Sequence, residues 1–149
     1  MFGAFKCDQL RRRASIIEAM MKIEESKAIE VAEAMLGIPY ASGGRDGAGM
    51  DCWGVMRAFY LAFGLDVPDP ASTDVDFIFA HRVMDYFIAV DSPKTGDVAR
   101  FAGVEAGKHI GIVLGKEVLH AHRRTGVVIH PLHRFHICAP YFRLKELVA

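Results

Sequence analysis

This sequence of 149 residues has no net charge, its eighteen Lys and Arg balancing eighteen Asp and Glu. That absence removes any global pull toward nucleic acid or an anionic membrane. The local exception, Arg11-Arg12-Arg13, is too short to hold a polyanion. No apolar run approaches the ~20 residues of a membrane-spanning helix, so no membrane insertion is expected. Met1 to Leu10 has neither an apolar core segment nor a small-residue cleavage site, so no secretory signal is expected. Cysteine is scarce: Cys7, Cys52 and Cys138 are odd in number, far apart and without a CxxC pair. That argues for thiols in a reducing compartment and against a disulfide framework. Internal repeats and low-complexity segments are absent too.

What remains is a well-cored globular chain. The apolar fraction is 52%, and a chain of this length forms one domain that buries roughly 70% of its unfolded surface. Apolar spacing predicts helices over residues 8–23 and 26–36, the second behind Ser26 as cap and stopped by Gly37 and Pro39. A loop rich in glycine, Ala41 to Met50, leads to a third predicted helix from Cys52 to about Phe63. Asp51 suits its N-cap and Gly64 its stop. A further helix is expected from Asp74 to Val90. After Pro93 the texture turns to short β runs at 98–102, 110–114, 118–122, 127–129 and 141–144. Helices first and strands second predict an α+β fold with an antiparallel sheet of about five strands.

The chemistry gathers around Asp51-Cys52-Trp53-Gly54. A thiol at the first turn of a helix feels the positive end of the backbone dipole, which favours the thiolate. His109 leads a strand after a glycine turn and is a candidate general base. His120 closes the next strand, paired to the first through the short turn at Gly115-Lys116-Glu117, where it could orient the His109 ring. Each residue alone has a plainer reading as a core thiol or a structural histidine. Cys7 and Cys138 lack activating neighbours and read as buried or inert. His130, His133 and His136 recur every three residues, as on one helical turn, and read as solvated or capping groups.

The order of five segments resembles the NlpC-type cysteine peptidases, papain-like enzymes that cut peptide stems of bacterial cell walls. They are Gly37-Ile38-Pro39-Tyr40-Ala41-Ser42-Gly43-Gly44, Asp51-Cys52-Trp53-Gly54, Gly96-Asp97-Val98-Ala99-Arg100-Phe101, His109-Ile110-Gly111-Ile112-Val113-Leu114-Gly115 and Leu119-His120-Ala121. The resemblance spans roughly residues 26 to 145. It implies Cys52 as nucleophile, His109 as base and His120 as third residue, with substrate contacts from Tyr40, Ser42, Asp51 and Trp53 and no metal or other cofactor. His122 shares a strand face with His120 and competes for the third role; the place of His120 before Ala121 favours it. Residues 26–149 would form the peptidase domain and 1–25 a helical extension that packs on it or docks a partner.

Trp53 departs from the serine commonest after the nucleophile. With Arg57 and the later Gly64-Leu65-Asp66-Val67-Pro68, it is similar to a phage tail-assembly branch of the family. That implies a virion tail component, made in the host cytoplasm, whose partners are peptidoglycan stem peptides and tail hub or tail-tip proteins. Two alternatives stand beside it. One is a catalytically silent tail protein serving as a plug or hub-docking module. The other is a zinc site of Cys52, His109, His120 and His122, which a helix N-terminus, a poor place for a cation, argues against.

Overall fold

The computed structural model describes residues 23–67, 69, 83–102 and 109–148. The helix expected over 8–23 lies almost wholly outside them. So do Cys7, residues 1–22 of the expected extension and most of the helix expected over 74–90.

Helix α1, Glu25–Met35, buries Ala28, Ala32 and Met35, the i, i+4, i+7 spacing of a single helical face. Its cap corrects the expectation: Glu24 is the extended N-cap residue, with no side-chain cap bond. Ser26 lies inside the first turn, its hydroxyl donating to Glu24 Oε1 at 3.2 Å. A two-residue hairpin, β1 (Arg45–Asp46) and β2 (Gly49–Met50), leads into α2, Cys52–Leu61. As expected, Asp51 caps α2; its carboxylate accepts from the Gly54 amide.

A single turn, α3 (Val83–Tyr86), precedes the six strands of the main sheet. These are β3 (Phe87–Val90), β4 (Val98–Ala102), β5 (His109–Leu114), β6 (Glu117–His122), β7 (Gly126–Pro131) and β8 (His136–Leu144). Their order is β3-β8-β4-β5-β6-β7, and every neighbouring pair is antiparallel. The α+β architecture is the expected one, but two parts differ. Phe87–Val90 was expected to be helical; it is a strand because it pairs with Tyr141–Leu144, and Phe87 is buried there. Sheet pairing with a segment over fifty positions away overrides the local pattern. His130, His133 and His136 do not share a helical turn: they fall in β7, in a short 3₁₀ turn (Leu132–Arg134) and in β8.

Strand alternation gives the sheet two apolar faces. Ile110, Ile112 and Leu114 of β5 and Leu119 and Ala121 of β6 join Cys52, Val55, Met56 and Phe59 in the larger core, and α2 packs on β5 and β6. Ala99, Phe101, Val113 and Val118 form the second core, covered by Leu132, Phe135, Ile137 and Tyr141. The 3₁₀ turn and the residue after it close this second face.

Candidate active site

Cys52 is 8% exposed at the first position of α2. Its surroundings follow from the four-residue motif. Asp51 Oδ1 accepts from the Gly54 amide at 2.8 Å, and Oδ2 accepts from the Gly43 amide at 2.9 Å. Arg45 Nη1 lies 2.7 Å from Asp51 Oδ1 in a largely buried ion pair. An uncompensated carboxylate beside a thiolate would oppose it, so Arg45 leaves the helix dipole as the uncancelled local field. Gly54 is required by contact: a Cβ there would collide with the Gly44 carbonyl oxygen, which crosses over the first turn of α2. The glycine-rich loop and the nucleophile helix are thereby fitted as one unit.

On the sheet, three histidines form a chain of hydrogen bonds. His109 Nε2 lies 2.8 Å from His120 Nδ1, and His120 Nε2 lies 2.9 Å from His130 Nδ1. His109 and His120 are only 3% and 2% exposed. Burial, with His122 and Arg123 nearby, lowers His109 to about 4. Burial, then the neighbouring His109, His130 and His122, lowers His120 to about 3. Burial, then Arg134 and His122, also lowers His130. All three rings are therefore neutral at neutral pH.

Aromatic packing fixes the rings. Phe101 is the direct cross-strand neighbour of His109, with ring centroids 5.0 Å apart. Phe135 stacks on Phe101 at 4.7 Å and meets His120 edge-on at 5.2 Å. Gly111 makes room for this arrangement, because a Cβ there would stand 2.6 Å from Val118 Cγ2 and 3.2 Å from Phe101 Cζ.

The histidines and Cys52 belong to the same end of the sheet. Val127 of β7 exchanges backbone hydrogen bonds with Gly37 and Ile38, and Met50 with Pro39 and Ala41. The loop leading into Cys52 is thus tied to the β6–β7 turn. Arg123 in that turn lies over the Tyr40 ring, 5.9 Å from its centroid, and its charge also reaches His109. His109 begins β5 at this rim, where the Ile112–Leu119 register, continued, brings it level with His122.

The other predicted site residues separate clearly. Tyr40 is half-buried and Ser42 exposed, so both offer surface to a ligand. Asp51 and Trp53 do not fit the expected substrate contacts, being 6% and 5% exposed. Asp51 spends its oxygens on the loop and helix, and Trp53 belongs to the core. The Trp53 indole N–H has no hydrogen-bond partner among the described residues. His122 and His120 also part ways: His122 Nδ1 accepts from the Arg124 amide, whereas His120 bonds His109. His109, His120 and His130 direct their facing nitrogens at one another, which is a relay and not a set of ligands converging on one ion.

Sequence reasoning missed His130, which bonds His120 and is neither a fully solvated nor a capping group. A signal for it existed. A hairpin turning at Arg123–Thr125 pairs Val118 with His130, which sets His130 diagonal to His120 on the same face.

Residues 37–145 match the model of the NlpC/P60 family, and the chain belongs to that family. It is 31% identical over 111 residues to the murein DD-endopeptidase MepS/murein LD-carboxypeptidase of Escherichia coli K12, covering 73% of this chain and 53% of that protein. It is 30% identical over 128 residues to the gamma-D-glutamyl-L-lysine dipeptidyl-peptidase of Bacillus subtilis, covering 83% of this chain and 40% of the relative. The chain thus spans about half or less of the length of these curated relatives. Among solved structures, the NlpC/p60 domain of the peptidoglycan hydrolase SagA superposes with a TM-score of 0.58 at 24% identity, over 80% of this chain and 97% of that one. RipB of Mycobacterium tuberculosis gives 0.59 at 24% identity, over 88% and 67%. Both show the same papain-like fold.

Proposed function

We propose that this chain is a cysteine peptidase that hydrolyses peptide stems of bacterial peptidoglycan. The observation that carries the reading is the buried, neutral His109, held by His120 at the rim of the sheet where the Cys52 helix begins. Cys52 Sγ attacks the scissile carbonyl carbon while His109 takes the thiol proton. The backbone N–H of Cys52 donates to the oxyanion. Collapse of the tetrahedral intermediate breaks the C–N bond, and His109 returns the proton to the leaving amine. Water, deprotonated by His109, then hydrolyses the thioester and restores the thiol. An imidazole lowered by burial is a weak base in the free enzyme, but a thiolate forming beside it favours its protonated form. His120 holds the ring throughout by accepting from His109 Nε2–H.

The substrate class is supported by the names of the two curated relatives, one a murein endopeptidase and the other a peptidase of a gamma-D-glutamyl-L-lysine bond. Likeness to the second of these supports a cut near the D-glutamyl–diamino acid linkage, whereas the name of the first points to a different, DD bond of the same stem. The finer reading is a phage tail component that opens the wall locally during DNA entry, carried in the virion and seated on hub or tip proteins. It rests on Trp53, Arg57 and the Gly64-Leu65-Asp66-Val67 segment. Arg57 Nε donates to the Val67 carbonyl at 2.9 Å, while Leu65 and Val67 are fully buried. These residues form one packed unit behind the nucleophile.

Incubation of the protein with purified peptidoglycan should release new amines, and Cys52→Ala should release none while keeping the melting temperature. Equal release by the two proteins defeats the peptidase reading and leaves the silent tail protein in its place. Mass spectrometry of purified particles lacking this chain would defeat the tail assignment alone.

A further inference from the structure

We propose that His130 is a positioning residue: it ends a one-way histidine relay that leaves the lone pair of His109 Nδ1 available to the nucleophile. The inference rests on the peptidase reading for its purpose, but its geometry stands apart from any activity.

A neutral imidazole carries one N–H and one lone pair. Three neutral rings joined by two hydrogen bonds therefore have two self-consistent proton arrangements. In the first, His109 Nε2–H donates to His120 Nδ1, and His120 Nε2–H donates to His130 Nδ1. His109 Nδ1 is then a bare acceptor, and His130 turns its own Nε2–H outward. In the second, every bond is reversed: His130 Nδ1–H donates inward, and the proton ends on His109 Nδ1. Only the first arrangement gives a general base. An intermediate arrangement leaves two lone pairs or two N–H groups facing each other in a buried site, which costs a buried hydrogen bond.

The two outer members differ in environment. His109 is enclosed by Phe101 and the sheet, whereas His130 is half-buried at the edge strand β7. His130 is thus the ring at which the direction of the chain can be set. Its neighbours are His120 and His122 on β6, Phe135, and Arg134 on the 3₁₀ turn. A neutral His130 that keeps its proton on the outward Nε2 offers Nδ1 as an acceptor, whereas a protonated His130 carries a proton on both nitrogens, donates inward and imposes the second arrangement. His120 alone cannot choose, because it has a histidine on either side and is symmetrical to both directions. The third residue of the site thus needs a fourth.

The test is a long-range proton–nitrogen spectrum of the protein labelled with ¹⁵N-histidine, recorded without substrate, alongside kinetics of two variants. The wild type should show His109 and His120 as single Nε2–H tautomers. His130→Asn, whose side-chain oxygen reaches the former position of Nδ1, should keep those tautomers and nearly all of kcat. His130→Leu removes the acceptor and should mix the tautomers of His109 and His120. Its kcat should fall roughly tenfold, the size expected for one lost hydrogen bond, with KM little changed. A wild type with its proton on His109 Nδ1 overturns the proposal without any variant. So does a folded His130→Leu with wild-type tautomers and kcat, and so does equal loss in the Asn and Leu variants. Failure of the peptidase reading appears elsewhere, as wild type and Cys52→Ala releasing equal amine while the tautomers remain as described.

Discussion

The two ends of strand β5 hold buried polar clusters of opposite kinds. Near Leu114, where Gly96 and Asp97 exchange backbone bonds with Val113, Asp97 is 1% exposed and takes both Nε and Nη2 of Arg143 at 2.9 and 2.7 Å. It also accepts from the Lys94 amide, while Tyr60 donates its hydroxyl to the Gly96 carbonyl at 2.6 Å. The Asp97–Arg143 pair is charged, and the Lys94 amide and the Gly96 carbonyl can only donate and only accept, respectively, so the cluster has one state. At the other end, His109, His120 and His130 are neutral rings whose donors and acceptors can exchange places. The first cluster locks β4, β5, β8 and α2 together. The second keeps a proton able to move. Buried charge that is fully paired serves rigidity, and buried neutral imidazole serves chemistry.

Arg143→Leu should break this contrast most severely. It leaves the Asp97 carboxylate buried without its cation and should cost about 3–5 kcal/mol in a urea unfolding series. Activity per folded molecule should survive, because the relay does not touch that end. A loss of activity in the folded fraction would mean that the two clusters are coupled.

Acid should separate the clusters next. His109 and His120 are held to about 4 and about 3, below their value in the unfolded chain. Between pH 6.5, the ordinary histidine value, and those lower values, the unfolded state binds protons that the folded state refuses. Stability is therefore full above about pH 6.5 and falls as pH drops toward 4 and then 3. Replacing His109 with Gln should flatten part of that slope in melts across the window. An unchanged slope would remove the histidines as its cause. The Arg143 guanidinium is raised by its hydrogen bonds to Asp97, so its contribution is constant below the strongly alkaline range.

The smallest effect belongs to Tyr60→Phe. Burial first, then the Asp97 charge, hold the phenol well above its ordinary value, so it remains a donor at any usable pH. Its removal orphans the Gly96 carbonyl and should cost about 1–2 kcal/mol. Thermal melts should record this with no change in amine release.

Much of the rim was legible because it depends on local rules. Asp51 as cap, Cys52 at the first helical turn and a strand led by His109 each follow from a few consecutive residues. Strand alternation alone does not separate His120 from His122, which share a face; the place of His120 before Ala121 favours it. In the structure it is His120 that bonds His109, while His122 accepts from the Arg124 amide. The family resemblance implies substrate contacts from Asp51 and Trp53, but both are buried, Asp51 against Arg45 and the glycine loop and Trp53 in the core. The strand Phe87–Val90 hid behind an apolar spacing that also suits a helix. The Asp97–Arg143 pair, 46 positions apart, had no sequence signal at all.

By itself the sequence determined the α+β class, the nucleophile helix and the histidine strands, since caps, periodicity and alternation act within one or two turns of chain. Tertiary structure alone decided which ring faces which. It placed His130 against His120 through the β6–β7 register, sent Arg143 to Asp97 and made Phe87–Val90 a strand. The reason is physical: the direction of a hydrogen bond, the burial of a charge and the partner of a strand depend on neighbours that only folding supplies.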